Sequence, residues 1–585
     1  MPSLDWIGKP AVVGHHREVP YLLTTADGRF AAGDVDSGNI LVQGDNLTAL
    51  KALLPRYGGR VRCIYIDPPY NTGNEGWVYN DNVSHPEIVK WLGKLVGKEA
   101  EDLSRHDKWL CMMYPRLSLL REFLTPDGVI FISIGSDEVG NLRVICDEIF
   151  GPRNLIEMFI WQIEGNTENQ EDITSVHEYV LAYSRNPEKP KIGRVIDPNV
   201  AEDSKLFRDF AENSIIKNGD TNPASIIELP AGFKCSVDTL YLAAHPFAAA
   251  FVAKVESRKD RDISRDMKAD YDNVNYPVRL DDMVVEDGVL VKPCRVYSGW
   301  SSANKIRNFI QGGFAPLVEA DGSRLHFYVS HTGVPTYRRE DRKGHFVPTI
   351  LRNMGTTETA SNTLERMGVD FDYPKPVRLI EHLLSLYTKP GDIVMDSFCG
   401  SGTTGQAALK LNREKDMGLR FILVELDTHV AENVAAKRLK SVIEGYTERR
   451  NGKKASPVPI PGLGGGLQFL RLAQPLMHES GRVNDGVTFA DLASHVYFAV
   501  TGRPLPEGTT AERPLVGVLE GVAVYLLFNE PEAGIPAILN SQTLRSLPPH
   551  EGPRVVWADG TTLSEARLQR ENVSFRQLPY DLKVG

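Results

Sequence analysis

Val61-Arg62-Cys63-Ile64-Tyr65-Ile66-Asp67-Pro68-Pro69-Tyr70 is the most informative stretch of this chain. Its first six residues read as a buried strand, and Asn71-Thr72-Gly73 after it reads as a loop. A carboxylate, two rigid prolines and an aromatic ring thus stand at the carboxyl end of a strand, where open α/β sheets bind ligands. One use for such a group is to hold the planar amino group of a nucleobase. The nitrogen's lone pair is delocalised into the ring, so it is a poor nucleophile. A carboxylate and a backbone carbonyl that accept both N–H bonds pull it toward tetrahedral geometry, and an aromatic ring stacks on the base. Two prolines fix φ and remove competing donors, which steadies the Pro68 carbonyl. The plainer alternative is an ordinary Asp-Pro-Pro turn after a strand.

A second motif lies far downstream. Ile393-Val394-Met395-Asp396 is a short apolar strand ending in an acid, followed by Phe398-Cys399-Gly400-Ser401-Gly402-Thr403-Thr404-Gly405 and then a helical pattern from Gln406. Glycines in such a turn let backbone approach a ligand, and the helix N-terminus favours an anion. Phe421-Ile422-Leu423-Val424 forms another strand ending in Glu425, an acid placed to hold ribose hydroxyls. Gly400, Gly402 and Gly405 also spell G-x-G-x-x-G, so a dinucleotide site and an NAD-dependent oxidoreductase compete on this motif alone.

Together the two motifs resemble an amino-group DNA methyltransferase using S-adenosylmethionine, of the class in which the catalytic tetrapeptide precedes the cofactor loop. Within that class the chain resembles the modification subunits of type III restriction-modification systems. Further matches come in order: Leu41-Val42-Gln43-Gly44-Asp45-Asn46-Leu47, Leu110 to Leu117, Gly128 to Ile134, His177-Glu178-Tyr179-Val180, and Phe371-Asp372-Tyr373-Pro374-Lys375-Pro376. They cover most of residues 36–185 and 325–440. The resemblance implies an α/β, Rossmann-like methyltransferase sheet with a circularly permuted motif order, an inserted target-recognition domain and a small C-terminal α/β domain.

By the same resemblance, Asp67, Pro68, Pro69 and Tyr70 serve catalysis on a flipped-out base in double-stranded DNA. Asp396 binds the amino group of the cofactor's methionine part, Phe398 lies near the sulfonium, and Gly400, Gly402, Thr403 and Thr404 supply the turn and its polar contacts. Glu425 holds the ribose. Asp45 lies near the cofactor's adenine or, alternatively, caps the helix starting near Leu47. Lys375 approaches the methionine carboxylate or is a solvated strand-end lysine. Asp67 in the first position favours adenine N6 as target; cytosine N4 is the alternative, where Ser is commoner. No Walker A sequence or paired-acid metal motif occurs, so cleavage and translocation would come from a partner. A catalytically silent DNA-binding module leaves the intact motifs unexplained. The expected assembly is a homodimer with a restriction helicase-nuclease as docking partner.

At 585 residues the chain exceeds one core. It is 42% hydrophobic and 24% charged, as soluble globular proteins are. No apolar run is long enough to cross a membrane, and the N-terminus lacks a signal-peptide layout, so a cytoplasmic location is expected. The six scattered cysteines suggest neither a zinc site nor a disulfide framework. A net charge of −10 argues against electrostatic coating of nucleic acid but leaves room for local basic surfaces. Candidates are Arg258–Arg261, Arg338–Lys343 and Arg449–Lys454.

Periodicity and composition divide the chain at 1–35, 36–185, 186–370, 371–445, 446–465 and 466–585, and the resemblance implies that these are a leader, a catalytic half, a target-recognition insert, a cofactor-binding half, a linker and a C-terminal α/β domain. The insert interleaves Tyr297, Trp300, Lys305, Arg307, Phe309, Tyr337, Arg338 and Arg339, a mixture suited to stacking and phosphate contacts. An ordinary insert core built from those aromatics is the alternative.

Overall fold

Val61–Ile66 is a strand buried along its whole length, as is Ile393–Asp396. Continuous apolar runs of this kind belong in a parallel sheet covered on both faces. The computed structural model describes residues 3–582 apart from 73–103 (where 90 and 93–95 are described), 164–174, 258–275, 341–345, 449–457, 479–481, 507–512, 530–534 and scattered positions from 187 to 223 and at 321. The basic clusters 258–261 and 449–454, and residues 341–343 of the third, lie outside the described residues.

The main sheet contains β1 (Leu22–Ala26), β2 (Ile40–Gln43), β3 (Val61–Ile66), β4 (Leu124–Ile134), β5 (Leu155–Gln162), β6 (His177–Ser184), β7 (Ile350–Leu351), β8 (Ile393–Asp396), β9 (Arg420–Glu425) and β10 (Gly466–Pro475). Their spatial order is β1-β10-β2-β9-β8-β3-β4-β6-β5-β7. From β10 through β2, β9, β8 and β3 to β4 the pairings are parallel. β6 enters antiparallel to both β4 and β5.

The chain leaves β3 toward β4 on one side and leaves β8 toward β9 on the other. β3 and β8, far apart in sequence, are therefore neighbours at a topological switch point, where doubly wound sheets bind ligands. The α/β sheet with catalytic strand before cofactor strand is the fold the motifs imply.

The sheet is one hydrophobic body with the helices Asn46–Tyr57 and Arg105–Phe123. The second of these begins well before Leu117, where the apolar pattern is clearest. Its start is fixed by a capping box between Ser104 and Asp107, and it carries Pro115 inside it.

Two compact units emerge: residues 1–193 with 348–585, and residues 194–347. The first unit takes in both chain ends. β1, from the segment read as a leader, pairs antiparallel with β10. β10, read as the opening of a separate C-terminal domain, runs parallel to β2 inside the main sheet. Its neighbours supply the missing hydrogen-bonding edge, a long-range fact that local periodicity does not carry. Beyond β10 the chain builds a four-stranded sheet, Leu515–Leu519, Val522–Leu526, Arg554–Ala558 and Val573–Gln577, with its own apolar core.

The second unit has a core of its own that includes Trp300, Phe309 and Phe327. Tyr297 is likewise buried. These aromatics serve packing. Arg338 lies 3.8 Å from the Phe210 ring centroid, and Lys305 pairs with Glu319 at 2.8 Å.

Candidate functional site

Because β2, β9, β8, β3 and β4 run the same way, their carboxyl ends form one edge. That edge carries Asp45, Glu425, Asp396 and Asp67 in spatial order. A cleft there is lined by Tyr65, Asp67, Lys375, Asp396, Phe398 and Gly400, among others.

The Asp67-Pro68-Pro69-Tyr70 turn is held from several sides. The Trp109 indole N–H donates to the Pro69 carbonyl at 2.7 Å. The Tyr70 hydroxyl donates to Oε2 of Glu178 at 2.6 Å. Tyr70 packs over Gly135, where a Cβ would lie 3.0 Å from the ring. Asn71 follows with φ of 58°, a left-handed conformation that asparagine tolerates. Its side chain donates to the fully buried Glu138, which also receives His106 at 2.7 Å and Asn141 at 2.8 Å.

Asp67 has one oxygen spoken for and one not. Oδ2 lies 2.9 Å from Nζ of Lys375. Oδ1 is buried and has no hydrogen-bond partner among the described residues. Burial pushes the Asp67 carboxyl above the usual carboxylate range, against the opposing pull of Lys375.

The cofactor-side residues gather as well. Asp396 is buried at the end of β8. Its Oδ1 accepts from the Phe398 N–H at 3.0 Å and its Oδ2 from the Thr404 hydroxyl at 2.6 Å. Burial raises its pKa to about 7. Glu425 accepts from the Gly400 N–H at 2.9 Å and the Asp427 N–H at 3.0 Å, and burial raises its pKa to about 7 too.

Gly402 has φ of 79° and precedes the helix Thr403–Lys415. Gly405 lets that helix settle on the sheet, since a Cβ there would lie 2.8 Å from Leu439 and 3.0 Å from Leu423. Thr403 receives a hydrogen bond from Arg438 at 2.8 Å. The buried Arg438 also donates to the Ser401 hydroxyl at 2.7 Å and to Gln406 at 2.7 Å, and burial lowers its pKa to about 9.

Asp45 and Lys375 are both engaged by side chains or backbone of the protein itself. The Asp45 carboxylate caps the helix Asn46–Tyr57 through the Thr48 N–H at 3.0 Å and pairs with Arg116 at 2.6 Å. Lys375 is not a solvated strand-end lysine, its side chain being only 7% exposed. Its ammonium sits between Asp67 and Glu178, the latter at 3.6 Å, on the Tyr70 side of the cleft.

A family model described as DNA methylase, covering N6 and N4 methyltransferases, matches residues 61–437. The chain belongs to this family. It is 30% identical over 471 residues to the type III restriction-modification enzyme EcoPI Mod subunit of Escherichia phage P1, covering 77% of this chain and 67% of that one. It is 26% identical over 455 residues to the EcoP15I Mod subunit of Escherichia coli, covering 73% and 64%. The chain thus spans about two thirds of the length of these relatives. Among solved structures, a cytosine-N4-specific PvuII DNA methyltransferase aligns with a TM-score of 0.31 at 12% identity, over 69% of this chain and 88% of that one.

In this DNA methylase the pattern Gly400-x-Gly402-x-x-Gly405 is therefore not that of a nicotinamide enzyme. Glu178, Trp109 and Arg438 were not assigned from the sequence. Glu178 lies at the start of a strand antiparallel to its neighbour, so the beginning of β6 meets the carboxyl edge of the parallel strands. No motif spacing signals that. Among the described residues no helix is long and apolar enough to cross a membrane.

Proposed function

We propose that this DNA methylase transfers the methyl group of S-adenosylmethionine to N6 of adenine in duplex DNA, at a specific sequence, as the modification component of a cytoplasmic restriction-modification system. The observation that carries the reading is Asp67, a half-buried carboxylate whose Oδ1 is buried and unpartnered, at the end of the strand beside the glycine-rich loop. An unmatched buried acceptor is costly unless a ligand donor meets it.

The residues fit the cofactor. The buried Asp396 and the half-buried Glu425 are acids with lone pairs to spare, suited to an ammonium and to ribose hydroxyls. Phe398 lines the same cleft, and a cation near an aromatic face is favourable. Gly400, Gly402, Thr403 and Thr404 complete the turn. When bound, S-adenosylmethionine supplies an electrophilic methyl group; the chain's residues supply position and charge. Asp67 and the Pro68 carbonyl orient the amino group, while Tyr70 stacks on the flipped base. The methylated nitrogen is cationic and strongly acidic, so Asp67 is needed for orientation and charge complementarity more than as a strong base.

Aspartate at the first position of the tetrapeptide favours adenine over cytosine N4. Of the insert 186–370, residues 194–347 form a unit of their own while its two ends fall with the main sheet, and that unit would read the target sequence. The named relatives are Mod subunits of restriction-modification enzymes, which supports assembly with a restriction subunit; the arrangement proposed is a homodimer that docks a helicase-nuclease.

Unmethylated duplex DNA incubated with purified protein and S-adenosylmethionine, digested to nucleosides and resolved by mass spectrometry, tests this. N6-methyladenine is expected. N4-methylcytosine alone would change the target base, and no methylated nucleoside would contradict the proposal.

A further inference from the structure

We infer that Lys375 and Glu178 are positioning residues of the target pocket, setting the ionisation of Asp67 and the orientation of Tyr70 for the incoming amino group. This rests on the reading of Asp67 and Tyr70 as the amino-group site.

Four side chains form a closed chain of contacts. Nζ of Lys375 lies 2.9 Å from Oδ2 of Asp67 and 3.6 Å from Oε2 of Glu178. That same Glu178 oxygen accepts the Tyr70 hydroxyl at 2.6 Å. Tyr70 returns to Asp67 through the tetrapeptide, and its side chain also favours the ionised form of Asp67. The ammonium also stands 4.9 Å from the Tyr70 ring centroid and 6.0 Å from that of Trp161, and its side chain is only 7% exposed.

Three consequences follow from this placement. Lys375 occupies one oxygen of Asp67 and leaves the other, Oδ1, as the open acceptor in the pocket. With its hydroxyl tied to Glu178, the Tyr70 ring is held in place before a base arrives, and rotamers locked by such bonds are what a precise site requires. Two carboxylates against one ammonium leave one negative charge, which matches the positive charge that builds on an amino nitrogen during methylation.

The electrostatics give the proposal a sign. The groups facing Asp67 are Lys375, Glu178 and Tyr70, together with Tyr65 on β3 and Asp396 on β8. Lys375 is the cation among them. It favours ionised Asp67, whereas burial and Glu178 favour the protonated form. Removing Lys375 therefore moves the acid limb of the pH–rate profile upward. Removing the charge of Glu178 moves it downward.

The test uses the full chain with mixed-sequence unmethylated duplex DNA. Single-turnover methyl transfer is measured from pH 5.5 to 9, and calorimetry gives the affinity for S-adenosylmethionine. Lys375→Met should shift the acid limb up by about one to three pH units, a ten- to thousandfold loss on that limb. Its cofactor affinity should stay close to that of the unaltered protein, and Lys375→Arg should restore part of the profile. Glu178→Gln keeps an acceptor for Tyr70 and should shift the limb the other way. Should Lys375→Met fold poorly, the Glu178→Gln shift decides alone. A purely structural role would lower the rate at every pH and leave the limb in place, which overturns the inference. Loss of cofactor affinity in Lys375→Met with an unmoved limb would overturn it too, assigning Lys375 to the cofactor. If the unaltered protein binds S-adenosylmethionine but methylates no DNA, the functional reading itself fails and the inference falls with it.

Discussion

Asp67 and Asp396 end adjacent parallel strands, paired through Ile64 and Met395, and line the same cleft. One acid closes the strand that carries the tetrapeptide, and the other closes the strand that feeds the glycine-rich loop. Asp67 adds to the cost of ionising Asp396. The sheet thereby sets side by side the two carboxyl groups to which the proposed function gives separate tasks, one toward the target base and one toward the cofactor.

Cofactor affinity should depend on pH. Asp396 and Glu425 hold their protons up to about pH 7, because burial disfavours the charged forms. An ammonium pairs only with ionised Asp396, so binding must release a proton below that value. Affinity should rise by up to about tenfold per pH unit for each such carboxyl as pH climbs toward 7, and level off above it. Thr404→Val removes the 2.6 Å donor that favours ionised Asp396 and should move the midpoint higher. Calorimetry in buffers of different ionisation enthalpy measures both the affinity and the protons released. A flat profile from pH 5.5 to 8 would contradict the assignment of Asp396.

Two loop glycines should fail in different ways. Gly402 has φ of 79°, which a β-branched residue rarely adopts, so Gly402→Val should distort the turn and abolish cofactor binding. Gly405 has ordinary helical backbone but no room, with Leu439 at 2.8 Å from a Cβ. Gly405→Ala should cost stability by about 1–3 kcal/mol through overpacking. Thermal unfolding and cofactor titration of the two variants separate these effects.

Exchanging residues 194–347 for the matching unit of a relative should change the methylated sequence and leave cofactor affinity intact, since the unit has its own core. Long-read sequencing of the methylated DNA reads the outcome. An unchanged site would remove target recognition from this unit.

Much of the site was legible because it is written in contiguous motifs at strand ends. Asp67, Asp396 and Glu425 each follow an apolar run, and the structure places all three on one edge of the sheet. What was not legible is carried by partners distant in sequence. β10 looked like the start of a new domain because nothing in Gly466–Pro475 shows that β2 lies beside it. Lys375 offered a cofactor contact or a solvated strand end, and its nearest charges are Asp67 and Glu178, from the other half of the sheet. Asp45 offered both readings, and its carboxylate is engaged as a helix cap and with Arg116.

The most direct test of the account separates chemistry from cofactor binding in one variant. Asp67→Ala removes the acceptor that orients the amino group, while Asp396, Glu425 and the loop are untouched. Calorimetry with S-adenosylmethionine and a methyl-transfer assay on duplex DNA should show near-normal binding and a loss of transfer of about two to three orders of magnitude or more. Tyr70→Ala, losing a stacking platform worth roughly 1–3 kcal/mol per base, should show the milder version of the same pattern. Loss of cofactor binding by Asp67→Ala, or near-normal transfer, would contradict the division of labour between the two strand ends.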